Sequence, residues 1–379
     1  MLQDEEPRPS CAPNRESRLR RHLSRLLEKK PSTGELFPAL DGVRGLAVLL
    51  VLASHTNLFH LRGTGAVGVW LFFVLSSFLL TRIMLCRLPG SLGARELCMY
   101  IVRRIARVIP PYYVVLAIVA LVDHKPLDWF FRHCVFLLAD GHFWSIPQEE
   151  LFYVLLPLLI AAVYLLDRFI KVPVALSAAL LLWLGIQKGF PFFMLPANGS
   201  YSSFYVSIFL TGFFIAHLWE AGWFLKLVRS NRFRIVANVL GVTALGSFVL
   251  SSLEILTAIK QATGWSFEPA YWGWTYSQRF AVVSAILLVS TLTPGSWTHH
   301  LFSSAPFRLL GVLSFSIYLV HYRILGALNH SGWFSDATLL FFATLVCSTL
   351  AALLLELIVE GPAMRIGKTL NQKIAKLQM

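Results

Sequence analysis

Arg44 and His55 lie eleven residues apart in an otherwise apolar stretch. At about 100° per residue that spacing is three helical turns plus about 20°, so one helix carries both side chains on a common stripe, about 16 Å apart. The arginine can hold phosphate or carboxylate through a bidentate fork. The histidine can take a proton from a hydroxyl near neutral pH. The pair suits a long ligand whose charged end and reactive end are far apart. In the competing structural reading, Arg44 snorkels at a membrane boundary and His55 is hydrogen-bonding glue between helices.

Three further groups could carry chemistry. Arg104 and Arg107, within Arg103-Arg104-Ile105-Ala106-Arg107, are i, i+3 neighbours on one helical face and could clamp an anion; marking the cytoplasmic side is the alternative. His142-Phe143-Trp144-Ser145-Ile146-Pro147-Gln148-Glu149-Glu150 brings two carboxylates to the mouth of an apolar helix. There Glu149 could fix the tautomer of a histidine, as carboxylates do in hydrolytic triads, or compensate a helix N-terminus. Ser314 to Arg323 places His321 and Arg323 at depth, as a proton relay, a substrate contact or interhelical bonding.

The elements that must position these residues follow from composition. Of 379 residues, 56% are hydrophobic and only 14% charged, which excludes an ordinary cytosolic domain and indicates a polytopic membrane protein. Apolar runs near 43–60, 66–85, 108–122, 150–166, 173–186, 201–219, 235–253, 279–293, 309–328 and 338–358 predict an all-α integral membrane protein of about ten transmembrane helices. Alternate connections and tails hold 25 Lys and Arg on one side against 6 on the other, which places both termini in the cytoplasm. The net charge of +13 is thereby a topology signal, and no nucleic-acid partner is expected. Five scattered cysteines without a CxxC pair indicate neither a zinc site nor a disulfide framework, and no metal is expected.

Residues 1–35 read as a basic cytoplasmic tail without a signal peptide. In it Leu19, Leu23, Leu26 and Leu27 recur at helical spacing among arginines and lysines, the pattern of an interfacial helix on an anionic leaflet; a solvated tail is the alternative. The long outer connection 123–149 is rich in Trp and Phe and could fold back into the bundle. The aromatic stretch 264–276 reads as an interfacial belt or a sugar-stacking surface.

Taken together, the motifs resemble the acyltransferase 3 family, multi-span enzymes that acylate carbohydrates and other exported or secondary metabolites. The resemblance rests on Leu40-Asp41-Gly42-Val43-Arg44-Gly45-Leu46-Ala47 with its spacing to His55, and on Gly68 to Ser76. It continues through Arg104-x-x-Arg107 with Pro110-Pro111-Tyr112-Tyr113, and Trp144-Ser145-Ile146 with Glu149 and Phe152-Tyr153. Ser316-Ile317-Tyr318-Leu319 with His321, and Glu360-Gly361-Pro362, complete the order. It covers about residues 36–367, the transmembrane domain, followed by a basic cytoplasmic C-terminal tail, 368–379.

The resemblance implies Arg44 and His55 as the essential pair, with His55 as base. Arg103, Arg104 and Arg107 join Arg44 as the acyl-donor site, Glu149 occupies the acidic catalytic position, and His321, Tyr318 and Trp144 serve acceptor contact or proton relay. Acyl-CoA, usually acetyl-CoA, is the implied co-substrate, and a carbohydrate or glycosylated acceptor and membrane lipids are the implied partners. The expected setting is the bacterial cytoplasmic (inner) membrane. The chain departs from the family pattern at Ser77, at Pro147-Gln148 and at Val320, Tyr322 and Arg323, the last bearing on acceptor preference. Many members carry a fused extracytoplasmic esterase-like domain. The stretch after the last span is short here, so a standalone form is expected, with transfer completed alone or through a separate extracytoplasmic partner. A transporter or flippase using the intramembrane Arg and His residues is the rival reading, and a sensor or scaffold the third.

Overall fold

The computed structural model describes residues 37–88, 90–169, 194–195, 200–220, 222–266 and 277–376, all within the unit Phe37–Met379. Their helices are α1 (Pro38–Thr56), α2 (Thr64–Leu85), α3 (Ala94–Val122), α4 (Leu127–Cys134), α5 (Ser145–Phe169), α6 (Ser202–Glu220) and α7 (Trp223–Val228), then α8 (Asn231–Leu250), α9 (Leu253–Thr263), α10 (Ser277–Leu292), α11 (Trp297–Phe302), α12 (Ala305–His330), α13 (Ala337–Leu355) and α14 (Gly361–Lys376). Seven described helical segments are long and apolar enough to cross a membrane, and Tyr205–Glu220 and Arg279–Leu292 are shorter apolar helices. The chain is an all-α integral membrane protein, with one two-residue antiparallel pairing of Met194–Leu195 with Ser200–Tyr201 among the described residues. The expected span 173–186, the N-terminal tail 1–35 and most of the aromatic stretch 264–276 lie outside the described residues.

Two differences from the sequence reading have physical causes. The third span was expected at 108–122 but begins at Ala94, with Pro110 and Pro111 inside it. Arginines at 95, 103, 104 and 107 depress the hydropathy of its first half. The prolines sever backbone bonds that neighbouring groups within a membrane bundle can replace. The expected C-terminal tail is helical to Lys376, and α14 packs along α3, where a Cβ at Gly367 would stand 2.7 Å from that of Ala106.

Helix α1 is the hub, packed on α2, α11, α12 and α13, while α2 also meets α5, α6 and α10. Lipid tails are as apolar as leucine, so association here depends on close backbone approach rather than on water expulsion. Glycines provide it. A Cβ at Gly45 would lie 2.3 Å from the carbonyl oxygen of Phe307, and one at Gly311 would lie 1.6 Å from that of Asp41. The glycines flanking Arg44 and facing it on α12 are therefore there to let the two backbones touch, which fixes where Arg44 enters the bundle. At the far end of α13 a π-helical turn, Glu356–Glu360, buries Glu360, which accepts a 3.0 Å hydrogen bond from Ser316 on α12.

Candidate functional site

The polar residues gather in two adjoining zones, both built on the α1–α12 contact. In the first, Arg44 lines a cavity of about 30 Å³ with Phe72 and Ser76 of α2, Ser145 and Glu149 of α5, and Ser314 and Tyr318 of α12. Its guanidinium lies over the Phe72 ring, 5.9 Å from the centroid. The charged groups acting on it are Arg107, Glu149 and Asp41, with Tyr153 beside them. Arg104 stands over the Tyr153 ring at 5.5 Å. Tyr153 donates a 2.5 Å hydrogen bond to Glu149 Oε1.

The sequence therefore separates what the fold joins, since Arg44, Arg104, Arg107 and Glu149 come from three helices to one place. Both Arg44 Nε and Arg104 Nε are buried with no hydrogen-bond partner, as is Glu150 Oε1. A buried unmade hydrogen bond costs about 1–3 kcal/mol, more for charged groups. Donors left open at such a cost are suited to an anionic ligand. Arg103 belongs to a neighbouring group, where the charges acting on it are Arg87, Arg104 and Glu96.

Room is limited in the first zone. A volume of about 30 Å³ holds roughly two waters. Any larger ligand enters only as the side chains around the cavity move apart.

The second zone is a cluster of imidazoles. The His55 ring lies 5.3 Å from His321 and 5.5 Å from Tyr322, and His142 lies 5.1 Å from His321 and 5.4 Å from Tyr322. His55 is exposed and His321 and His142 are buried. His321 Nδ1 faces the carbonyl of Tyr318 at 2.7 Å, and His142 Nε2 faces that of Leu319 at 3.1 Å. A carbonyl only accepts, so each of those nitrogens carries the proton. That leaves His321 Nε2 as a lone pair, buried and without a partner.

Tyr318 joins the zones. Its hydroxyl accepts a 2.9 Å hydrogen bond from Ser145 at the cavity wall and donates to the carbonyl oxygen of His142. Its own carbonyl holds His321.

Arg44 and His55 do share the α12-facing side of α1. Glu149 meets Tyr153 and Arg44 rather than a histidine, so an imidazole-orienting role does not fit where it stands. Trp144 is one ring of a cluster with Trp70, Phe73 and Tyr205, at 5.5, 6.0 and 5.2 Å. The outer connection does turn back into the protein, burying His142, Phe143 and Trp144. The sequence did not mark His142 and Tyr322 as neighbours of this cluster. His142 stands seven residues before Glu149 in the chain, and aromatic content is its one sequence signal, while Tyr322 is one of the positions that depart from the family pattern. Among the described residues no group of three or more His, Cys, Asp or Glu could hold a metal ion.

A family model for an acyltransferase domain matches residues 37–358. A provisionally named O-acetyltransferase of Staphylococcus aureus (strain COL) is 24% identical over 372 residues, covering 88% of this chain and 58% of that protein. The peptidoglycan O-acetyltransferase OatA of Listeria monocytogenes is 26% identical over 325 residues, covering 76% of this chain and 49% of its own length. The chain thus spans about half the length of these curated relatives. No solved structure matches it.

Proposed function

Because the chain belongs to the acyltransferase 3 family, we propose that it is an O-acyltransferase of the bacterial cytoplasmic membrane, moving an acyl group, acetyl first among them, from cytoplasmic acyl-CoA to a carbohydrate hydroxyl. Peptidoglycan, named for the Listeria relative, is the first acceptor to test, with other cell-surface polysaccharides after it. The asymmetry of Lys and Arg along the chain supports a topology with both termini in the cytoplasm.

The observation that carries this reading is Arg44 in the wall of a cavity, with the Arg107 charge acting on it and Arg104 over the neighbouring Tyr153 ring, where the Tyr318 wall of the same cavity runs into the imidazoles around His55. The open guanidinium donors match phosphates and pyrophosphate, with Arg103 adding positive charge alongside. The pantetheine arm then extends along the α1–α12 seam, parting the side chains of the small cavity as it enters. His55, exposed where acceptor can reach it, takes the proton of the attacking hydroxyl. The new C–O bond forms as the C–S bond breaks, and the coenzyme leaves as thiolate. His321, whose ring lies 5.3 Å from that of His55 and whose Nε2 lone pair is buried without a partner, can receive that proton onward, and Tyr318 holds its ring.

General-base catalysis contributes about 10²- to 10⁴-fold. Purified protein with labelled acetyl-CoA and acceptor should transfer label, and a monodisperse His55→Ala sample should lose about that factor. Wild-type transfer by His55→Ala would remove His55 as the base.

A further inference from the structure

Away from the Arg44 cavity, and sharing no lining residue with it, a half-open cleft of about 330 Å³ lies between α6, α8 and α10. That is the size of a ligand pocket, roughly 300–1,000 Å³. Its walls include Phe213 and Leu218 of α6, Phe224 of α7, Leu240 of α8, and Ala285 and Ile286 of α10. The one polar side chain in the lining, among the described residues, is Thr211, whose hydroxyl donates to the Ser207 carbonyl at 3.0 Å. Water needs two to four polar partners to occupy a cavity, and the side chains of this wall offer only the acceptor side of the Thr211 hydroxyl. Hydrocarbon is the filling that such a surface accepts.

A second observation specifies which hydrocarbon. At the end of the cleft marked by Phe224, α7 and the start of α8 carry Lys226 and Arg232, both exposed, and Arg234, whose side chain runs past Gly295 at the turn after α10. Residues 221–253 contain no acidic side chain, and the nearest preceding one, Glu220, is paired with Arg82 at 2.6 Å. The distribution of Lys and Arg along the chain assigns this end to the cytoplasmic leaflet. A basic rim over an apolar slot between transmembrane helices, on that side, is the arrangement that holds an anionic lipid headgroup.

We propose that this cleft is a specific site for an anionic glycerophospholipid of the inner leaflet, with acyl chain in the cleft and phosphate against Lys226, Arg232 and Arg234. The site has a structural connection to the rest of the protein. α6 packs on α2 so closely that a Cβ at Gly212 would lie 2.1 Å from the Val74 carbonyl, and Phe209 stacks on Phe73 at 4.4 Å. A lipid bound here braces the helix against which the α2 wall of the Arg44 cavity rests.

The proposal is independent of the acyl-transfer reading, and binding tests it directly. Delipidated full-length protein is given phosphatidylglycerol or phosphatidylcholine of matched chains, and retained lipid is counted by native mass spectrometry. One phosphatidylglycerol should stay per chain, at least tenfold more tightly than phosphatidylcholine. The combined Lys226→Ala, Arg232→Ala, Arg234→Ala variant should bring it down to the phosphatidylcholine level, and Ala285→Trp, which fills the cleft, should abolish retention of both. Leu240→Trp fills the same space from α8 should Ala285→Trp not give folded protein. Equal retention of the two lipids, undiminished retention in the filled variant, or a lipid-free dimer would overturn the proposal.

Discussion

α1 and α8 are nearly the same length, 19 and 20 residues, and α8 is the more apolar, with mean hydropathy 1.8 against 1.3. Yet 67% of the α1 span is buried inside the protein against 22% of α8. In water the more apolar helix would be the one inside. In a bilayer, lipid accepts an apolar face as readily as protein does, so the helix that must be sheltered is the one carrying Asp41, Arg44 and His55. Polarity, not hydropathy, identifies the more buried helix here. The lipid-facing residues of α8, such as Val239 and Val242, are exposed for the same reason.

The sharpest way to break this contrast is to exchange one residue on each helix. Arg44→Gln removes charge-assisted bonds of about 1.5–3 kcal/mol each, so acyl incorporation at low donor concentration should fall by roughly 10- to 100-fold, mainly through KM for acyl-CoA. Val242→Ala should stay within about twofold in the same assay. Comparable losses in both would mean that α1 is distinguished by packing alone.

Glycines give a second comparison. Gly311→Ala pushes a methyl into the Asp41 carbonyl, an overpacking that costs about 1–3 kcal/mol or more. Gly246 on α8 has nothing within 4 Å of its added Cβ, so Gly246→Ala should leave stability unchanged or raise it by about 0.5–1 kcal/mol. Heating both variants in detergent and following the monodisperse fraction by size-exclusion chromatography distinguishes them. A tolerant Gly311 would show that α1 and α12 do not need this approach.

Much of this was legible in the sequence, and the parts that were not share a cause. Span positions could be read because apolar length is a local property, and α1 carries Arg44 and His55 as its period requires. The first half of α3 could not be read, because four arginines mask a helix that is held by α14 and by the π-helical turn rather than by its own hydropathy. The partner of Glu149 was equally hidden. A carboxylate's neighbours depend on how α3, α5 and α1 cross, and no spacing within one segment reports that. His142 entered the site because the connection before α5 turns inward, a tertiary event with only aromatic content as its signal.

Tyr318 is the link between the zones, and its effect should be smaller. Tyr318→Phe keeps the ring and the carbonyl that holds His321, but deletes the hydroxyl between Ser145 and His142. Of its two bonds only the one to His142 reaches the imidazole side, and one such bond is worth about 0.5–1.5 kcal/mol, so kcat should fall by about tenfold at most, with KM for the donor unchanged. A rise in KM instead would move Tyr318 from the imidazole side of the site to the donor side.

The smallest effect lies outside the spans, where a buried polar group follows the rules of water rather than of lipid. His133 in α4 is fully buried, its Nδ1–H donating to the Trp129 carbonyl at 2.8 Å while its Nε2 accepts from the Asp140 amide at 3.1 Å. Burial holds its pKa below the ordinary histidine value, with Arg132 and Lys125 acting the same way and the Trp129 carbonyl and Asp140 carboxylate opposing. The unfolded segment therefore binds a proton at higher pH than the folded one. Stability from this ring is complete above the ordinary histidine pKa and is lost as pH falls through it toward the folded value. Protonation puts a hydrogen on Nε2, and the Asp140 amide loses its acceptor, at about 0.5–1.5 kcal/mol. Hydrogen exchange at the Asp140 amide should accelerate, beyond the intrinsic pH effect, on going from neutral to mildly acidic buffer. His133→Gln should remove that acceleration, and its persistence in the variant would assign the pH response to a different group.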